Sequence, residues 1–139
     1  MFGWGAQARG NKATRLVENV IAAINRRDFG VLGQLVTPDV RFIDSTGEGV
    51  SGRESAFVML RRLVTFDPEL RIHADELTVH DRSVLVTGRT TGSQAMTSRR
   101  TLWKMILRDG LVEEWRSFSA DNPQPFIRML MGPEARAVV

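Results

Sequence analysis

The chain lacks cysteine and tyrosine, and it has only two histidines and two lysines among its 139 residues. Without cysteine it can form neither disulfides nor thiolate metal sites, and two separated histidines argue against a tightly bound metal. It also has no apolar run of about 18 residues, the length that a membrane helix needs. The opening residues MFGWGAQARGNK do not fit a secretory signal. We therefore expect a cytoplasmic protein without a metal, a cofactor or a membrane partner.

Positive charge is present but is not concentrated. The formal net charge is +3, and 17 of the 19 basic residues are arginine. The arginines are scattered as pairs along the chain, whereas nucleic-acid binding needs clustered charge with aromatic or base-reading partners. The charge pattern therefore argues against a nucleic-acid partner.

Length and composition predict one folded domain. The hydrophobic fraction is 42% and the charged fraction is 25%, both ordinary values for a globular protein. We expect a flexible N-terminal tail over residues 1–11, a domain over 12–122 and a C-terminal extension over 123–139. The extension contains an apolar turn over residues 126–131.

Helical patterns occupy the first half of the chain. Apolar residues at helical spacing predict a first helix from about Lys12 to Arg27 and a second, short helix that begins at Asp28 and is ended by Pro38. A short strand is expected over residues 41–44, followed by a loop with the sequence STGEGVSG. Ser51 or Gly52 then precedes a third helix that begins at Arg53.

Strand patterns occupy the second half. Alternating residues predict strands over 70–79, 84–91, 99–107 and 111–118, and Asp109-Gly110 predicts a tight hairpin between the last two. Three helices followed by antiparallel strands indicate an α+β fold. We expect a cone-shaped, curved antiparallel sheet wrapped around the three N-terminal helices, with an interior pocket for a ligand.

Several phrases in this order resemble the nuclear transport factor 2-like superfamily, in particular its SnoaL-like and ketosteroid isomerase-like members. They are Asp28 after the first helix, the strand PDVRFID, the helix start SGRESA and the closing hairpin RDGLVEEW. The resemblance covers about residues 16–118. It implies a cone-shaped α+β barrel, often a homodimer through the open sheet. Members include isomerases, dehydratases, polyketide cyclases, epoxide hydrolases and proteins without catalysis, so the fold alone does not give the function.

Asp44 is the main candidate for chemistry. It shares one strand face with Val40 and Phe42, because successive side chains alternate, so its carboxylate is expected to point inward. The resemblance places it where ketosteroid isomerases carry their general base. A second interpretation is a structural one, in which Asp44 caps the turn over residues 45–47 through its side chain.

The rest of the isomerase site is missing. Val20 stands where the resemblance expects an oxyanion-binding tyrosine, and Trp103 stands where it expects a hydrogen-bonding aspartate. Each oxyanion donor is typically worth about 3–4 kcal/mol. Ordinary steroid isomerase chemistry is therefore not expected.

The epoxide hydrolase members are the next comparison. Arg89 matches their site arginine and Trp115 a pocket tryptophan, but Thr91 and Ser117 stand where the two acids should be. Arg89 faces inward and holds an anionic oxygen, or it faces outward with Val84 turned inward. The sequence leaves these two orientations open.

Together these residues predict a cofactor-independent acid–base enzyme of isomerase, dehydratase, cyclase or lyase type. Asp44 would move a proton, Arg89 would hold an anionic oxygen, and His73 is a further possible catalytic residue. The substrate would be a small apolar molecule, aromatic or polycyclic. The alternative is a non-catalytic ligand-binding or dimerisation module of the same fold. The expected lining of the pocket is Val20, Leu35, Phe42, Thr91, Trp103, Trp115 and Ser117.

Overall fold

The computed structural model describes residues 2–119 and 123–137, with side chains from residue 11 onward. Its helices and strands follow one another along the chain as α1 (Phe2–Arg26), α2 (Phe29–Leu35), β1 (Val36–Ile43), β2 (Glu48–Ser51), α3 (Arg53–Phe66), β3 (Arg71–His80), β4 (Ser83–Thr91), β5 (Arg99–Arg108), β6 (Leu111–Phe118), α4 (Phe126–Met131) and β7 (Arg136–Ala137).

The strands form one curved, unclosed sheet in the order β3-β4-β5-β6-β1-β2-β7. This confirms the predicted α+β class. The sheet is not wholly antiparallel, because β1 pairs with β6 in parallel, with Phe42 opposite Trp115. A parallel pair needs a long connection, and here α3 and four strands separate β1 from β6 along the chain.

The helices begin and end close to where the sequence predicts, with one exception. Asp28 caps α2, since its Oδ1 accepts a hydrogen bond of 3.1 Å from the backbone N–H of Val31. Helix α3 begins at Arg53 as expected. Helix α1 begins at Phe2, not at Lys12, so most of the segment expected as a flexible tail is helical. Its glycines have low helix propensity, which is why the pattern predicts too late a start.

Three strand predictions were wrong. Strand β1 begins at Val36 and contains Pro38, which does not end a helix but lies where the register between β1 and β6 shifts. Such irregular positions tolerate a missing N–H. The expected STGEGVSG loop contains β2, and the C-terminal extension contains β7, which pairs with β2 through Gly49 and Arg136.

The core lies between the helices and the inner face of the sheet. Helix α1 contributes one apolar stripe to the core, α2 and α3 contribute further apolar residues, and the strands contribute alternate residues. The most deeply buried of these side chains are Val17, Val20, Leu32, Val36, Val40, Val84, Val86, Met105 and Val112.

Asp67 stabilises the loop between β4 and β5 by accepting hydrogen bonds from it. It is fully buried and accepts hydrogen bonds from the hydroxyl of Thr97, from the hydroxyl and the backbone N–H of Ser93, and from the backbone N–H of Glu69. These bonds, that from Thr97 above all, lower the pKa of Asp67 to about 2. Residue 92, in this loop, must be glycine, because a Cβ on Gly92 would lie 2.2 Å from the Asp67 carboxylate.

Asp67 should therefore make the fold sensitive to acid. Because its pKa is lower in the folded protein than in the unfolded chain, its stabilisation is complete above about pH 4 and is lost as the pH falls toward about 2. We expect Asp67→Asn to lower stability at neutral pH and to reduce the loss of stability on acidification. Urea unfolding at about pH 6 and about pH 3 measures both effects.

Asp109→Asn in the exposed β5–β6 turn is the matched control, since it removes the same charge. An acid-induced loss of stability in Asp67→Asn as large as in the unaltered protein would contradict this role.

Candidate functional site

A cavity of about 140 Å³ lies between the inner face of the sheet and helices α1, α3 and α4. Its wall is mainly apolar, with a few polar groups at one side. The apolar lining residues are Ile24, Phe42, Ile43, Met59, Leu60, Leu63, Leu70, Ile72, Trp103, Trp115, Phe126 and Ile127. The polar ones are Asp44, Ser45, Thr90, Thr97, Arg99, Thr101, Ser117 and Ser119.

Three aromatic rings form one wall of the cavity. Phe42 on β1 stacks on Trp115 on β6, with ring centroids 5.8 Å apart, and Trp103 on β5 meets Trp115 edge to face at 5.9 Å. Gly88 on β4 makes room for this arrangement, since a Cβ there would lie 2.9 Å from the Trp103 ring and 2.1 Å from the carbonyl oxygen of His73. The rings offer a rigid apolar surface of the kind that binds planar ligands.

The Asp44 carboxylate lines the cavity and accepts four hydrogen bonds. Its Oδ1 accepts hydrogen bonds from the backbone N–H and hydroxyl of Thr46, at 2.9 and 2.6 Å, and from the backbone N–H of Glu48 at 3.3 Å. Its Oδ2 accepts one from the backbone N–H of Ile127 in α4, at 3.0 Å. A carboxylate has about four lone-pair positions, two on each oxygen, so these donors saturate Oδ1 and leave one position on Oδ2. Asp44 is thus a structural cap of the β1–β2 turn, as the second interpretation expects.

The same turn holds α4 in place. The guanidinium of Arg128 makes a two-point contact with the Glu48 carboxylate, in which Nε donates to Oε1 at 2.8 Å. This contact holds the pKa of Glu48 below its usual range. From the other side, Arg62 on α3 donates to the carbonyl oxygen of Leu130 at 2.9 Å. Helix α4 forms one wall of the cavity and is held in place by these contacts with β2 and α3.

Arg89, His73 and Thr91 lie on the outer face of the sheet. The predicted position of Thr91 in the pocket lining was wrong, and Arg89 has the outward one of the two orientations that the sequence left open. Arg89 is half exposed and pairs with Asp75 at 3.3 Å. His73 Nε2 lies 2.9 Å from the hydroxyl of Thr91. Alternation along β4 explains this, because Thr90 lines the cavity and its neighbours on either side must point away.

The other predicted lining residues divide into two groups. Val20 is fully buried and Leu35 is partly buried, but both pack in the core and neither lines the cavity. The four that do line it, as predicted, are Phe42, Trp103, Trp115 and Ser117.

Arg99 and Thr101 are among the cavity residues that the sequence analysis missed. Arg99 lies on β5 opposite Thr90, and its Nη2 donates to the hydroxyl of Ser119 at 3.1 Å. The sequence contains the information needed to find Arg99, because Arg99, Thr101 and Trp103 are every second residue of β5 and so share one face of the strand. Placing Trp103 inside the pocket places Arg99 on the same face.

Two further features concern the described residues only. Within them, no group of three or more histidine or acidic side chains is arranged to hold a metal ion. None of the helices in that part of the chain has the length and apolar character needed to cross a bilayer.

The structure has an α+β fold in which a curved sheet and the helices enclose an apolar cavity. Comparison with known proteins identifies its family. Residues 17–115 match the model of the SnoaL-like domain. The chain belongs to this SnoaL-like family. No curated protein sequence matches it.

Solved structures share the fold. A SnoaL-like protein named as a polyketide cyclase, from Jannaschia sp. CCS1, is 23% identical with a TM-score of 0.69, and the match covers 80% of this chain and 87% of that one. A protein of unknown function with a cystatin-like fold, from Xanthomonas campestris, is 22% identical with a TM-score of 0.70 (78% and 91% covered). An epoxide hydrolase-like protein of M. tuberculosis is 16% identical with a TM-score of 0.65 (79% and 84% covered).

Replacing Asp44 should release α4. We expect Asp44→Ala to lower the free energy of unfolding by about 2–4 kcal/mol, because it leaves the buried N–H of Ile127 and three part-buried donors without an acceptor. Hydrogen exchange should show faster exchange of the Ile127 amide, beyond the global loss of stability that urea unfolding measures.

Ser45→Ala is the matched control, because Ser45 is the next residue and also lines the cavity. It should change stability by about 0.5 kcal/mol or less. Unchanged protection of Ile127 in Asp44→Ala would show that the carboxylate does not hold α4.

Proposed function

We propose that this protein binds a small, mainly apolar molecule of single-ring size in the cavity. The observation that carries the proposal is a cavity of about 140 Å³ walled by Phe42, Trp103 and Trp115. An apolar cavity of about 150 Å³ in another protein holds one benzene molecule. The size therefore favours one ring over the polycyclic ligand that we also considered from the sequence.

Binding fits the polar groups better than catalysis does. A general base needs an oxygen able to take a proton within hydrogen-bond reach of the substrate. The Asp44 carboxylate already accepts four hydrogen bonds, and Arg89, the expected holder of an anionic oxygen, lies on the outer face. The non-catalytic alternative is therefore the function that we favour.

Acid–base catalysis by Asp44 is the second candidate, and one observation favours it. The Oδ2 atom of Asp44 accepts a single hydrogen bond, from Ile127 in α4, so a shift of that short helix would turn the oxygen toward the cavity. Exchange of the α-protons of cyclohexanone in D₂O, followed by NMR, tests for such a base. A rate equal to that in protein-free buffer would exclude it.

A second copy of this chain is the macromolecular partner that we propose, through the outer face of the sheet. Leu102 and Phe118 are cross-strand neighbours on this face and are 37% and 43% exposed. Basic residues flank them on β5 and acidic residues lie on β3, among them Lys104 and Glu76. A two-fold axis brings the same patch from two copies together, so such a patch can complement itself.

The cavity proposal predicts saturable binding of fluorobenzene, with a Kd of about 10⁻³ to 10⁻⁴ M. Binding is measured by ¹⁹F NMR and by the fluorescence of Trp103 and Trp115. Leu63→Trp should weaken it at least about tenfold, because the larger ring fills space that the ligand needs. Leu85→Trp makes the same change on the outer face and should leave Kd unchanged. Absence of saturable binding would overturn the proposal.

The partner proposal predicts a mass of twice 15.6 kDa in solution, measured by light scattering. Phe118→Asp should give monomers, since an unpaired charge would enter an apolar contact. Phe66→Asp is the matched control, because Phe66 is an exposed phenylalanine on α3, away from the sheet. A monomeric unaltered protein, or an unaffected mass in Phe118→Asp, would contradict this interface.

A further inference from the structure

Two residues with hydroxyl groups lie diagonally across β5 and β6 beside the aromatic wall. Ser117 on β6 is the register partner of Trp103 on β5, and Thr101 precedes Trp103 by two positions on the same strand. All three line the cavity. Directly opposed residues on one sheet face, such as Trp103 and Ser117, have Cβ atoms about 4.5–5.5 Å apart, and diagonal neighbours such as Thr101 and Ser117 lie about 7–8 Å apart. A ring packed against Trp103 would therefore carry its substituents to these hydroxyls.

Neither hydroxyl is used by the fold. Within residues 2–119 and 123–137, no side chain or backbone group forms a hydrogen bond with the hydroxyl of Thr101 or Ser117. Both residues are only partly buried, and both line the cavity. A hydroxyl beside an apolar surface is stabilised when it finds a partner, and it can both donate and accept. The pair is thus suited to one oxygen atom on a ligand.

Charge favours a neutral oxygen. Among the described lining residues, the ionisable side chains are Asp44 and Arg99, whose formal charges cancel. An anionic ligand would lose water beside the Asp44 carboxylate, and burying an anion is costly without a dedicated cation. Arg99 already donates to Ser119. A hydroxyl or carbonyl oxygen needs no counter-ion and matches both hydroxyl groups.

We propose that Thr101 and Ser117 determine ligand specificity by binding a neutral hydroxyl or carbonyl oxygen on a single ring packed against Trp103 and Trp115. The inference rests on the proposed binding function and narrows it to a chemical class. It assigns the two hydroxyls a role in ligand choice and no part in folding.

Three probes of one ring size test this assignment in the full chain by ¹⁹F NMR: fluorobenzene without oxygen, 4-fluorophenol with a neutral hydroxyl, and 4-fluorobenzoate with an anion. We expect 4-fluorophenol to bind about 3- to 10-fold more tightly than fluorobenzene, the gain of one net hydrogen bond. Ser117→Ala and Thr101→Val should each remove most of that preference. Fluorobenzene should bind both variants as before, which also shows that they fold.

Thr87→Val is the control, because it removes a hydroxyl from the outer face of β4 and should change no affinity. Equal binding of 4-fluorophenol and fluorobenzene to the unaltered protein would overturn the inference. The inference would also be overturned if the variants lost affinity equally for 4-fluorophenol and fluorobenzene, or if the unaltered protein preferred 4-fluorobenzoate. Failure of all three probes to bind would instead overturn the proposed function itself.

Discussion

The carboxylate of Asp44 joins parts of the chain that are far apart in sequence. One oxygen closes the turn between β1 and β2, and the other accepts the N–H of Ile127, 83 residues further along. A charged acceptor gives stronger hydrogen bonds than a neutral one, and burial of the group makes each missing partner costly. The cavity is enclosed on this side because that carboxylate holds α4 against the sheet, with Arg128 and Glu48 outside it.

These hydrogen bonds change how the presence of Asp44 in an apolar pocket is interpreted. The position of Asp44 predicts a general base, but its hydrogen bonds give it a structural role. The lone-pair position that its hydrogen bonds leave is on Oδ2, so a proton would have to be accepted beside the Ile127 N–H. The aromatic wall and the hydroxyls of Thr101 and Ser117 have no such competing bonds, so the molecule is better prepared to bind a ligand than to react with one.

Much of the fold could be predicted from local patterns. Strands β3, β5 and β6 alternate in polarity, and the hairpin at Asp109-Gly110 has both residues at positive φ (53° and 75°), as that turn requires. Strands β2 and β7 were missed because they are short and their pairing joins distant segments. The contact between Asp44 and α4 has no local signal for the same reason.

The site was predictable only where one face of a strand differs clearly from the other. Trp103, Trp115 and Ser117 were placed correctly, because the tryptophans mark the inner faces of β5 and β6. Strand β4 has apolar residues on both faces, since Val84 and Val86 point inward and Leu85 outward, so the direction of Arg89 could not be decided. The same alternation on β5 would have identified Arg99 in its place.

The central claim is that the space beside Phe42, Trp103 and Trp115 is a true ligand cavity closed by α4. A crystal structure under xenon pressure tests this claim most directly, because xenon enters apolar cavities that water leaves empty. The account predicts a xenon atom against these rings and Ile127. A structure with side chains filling that space, or with xenon bound only elsewhere, would contradict it.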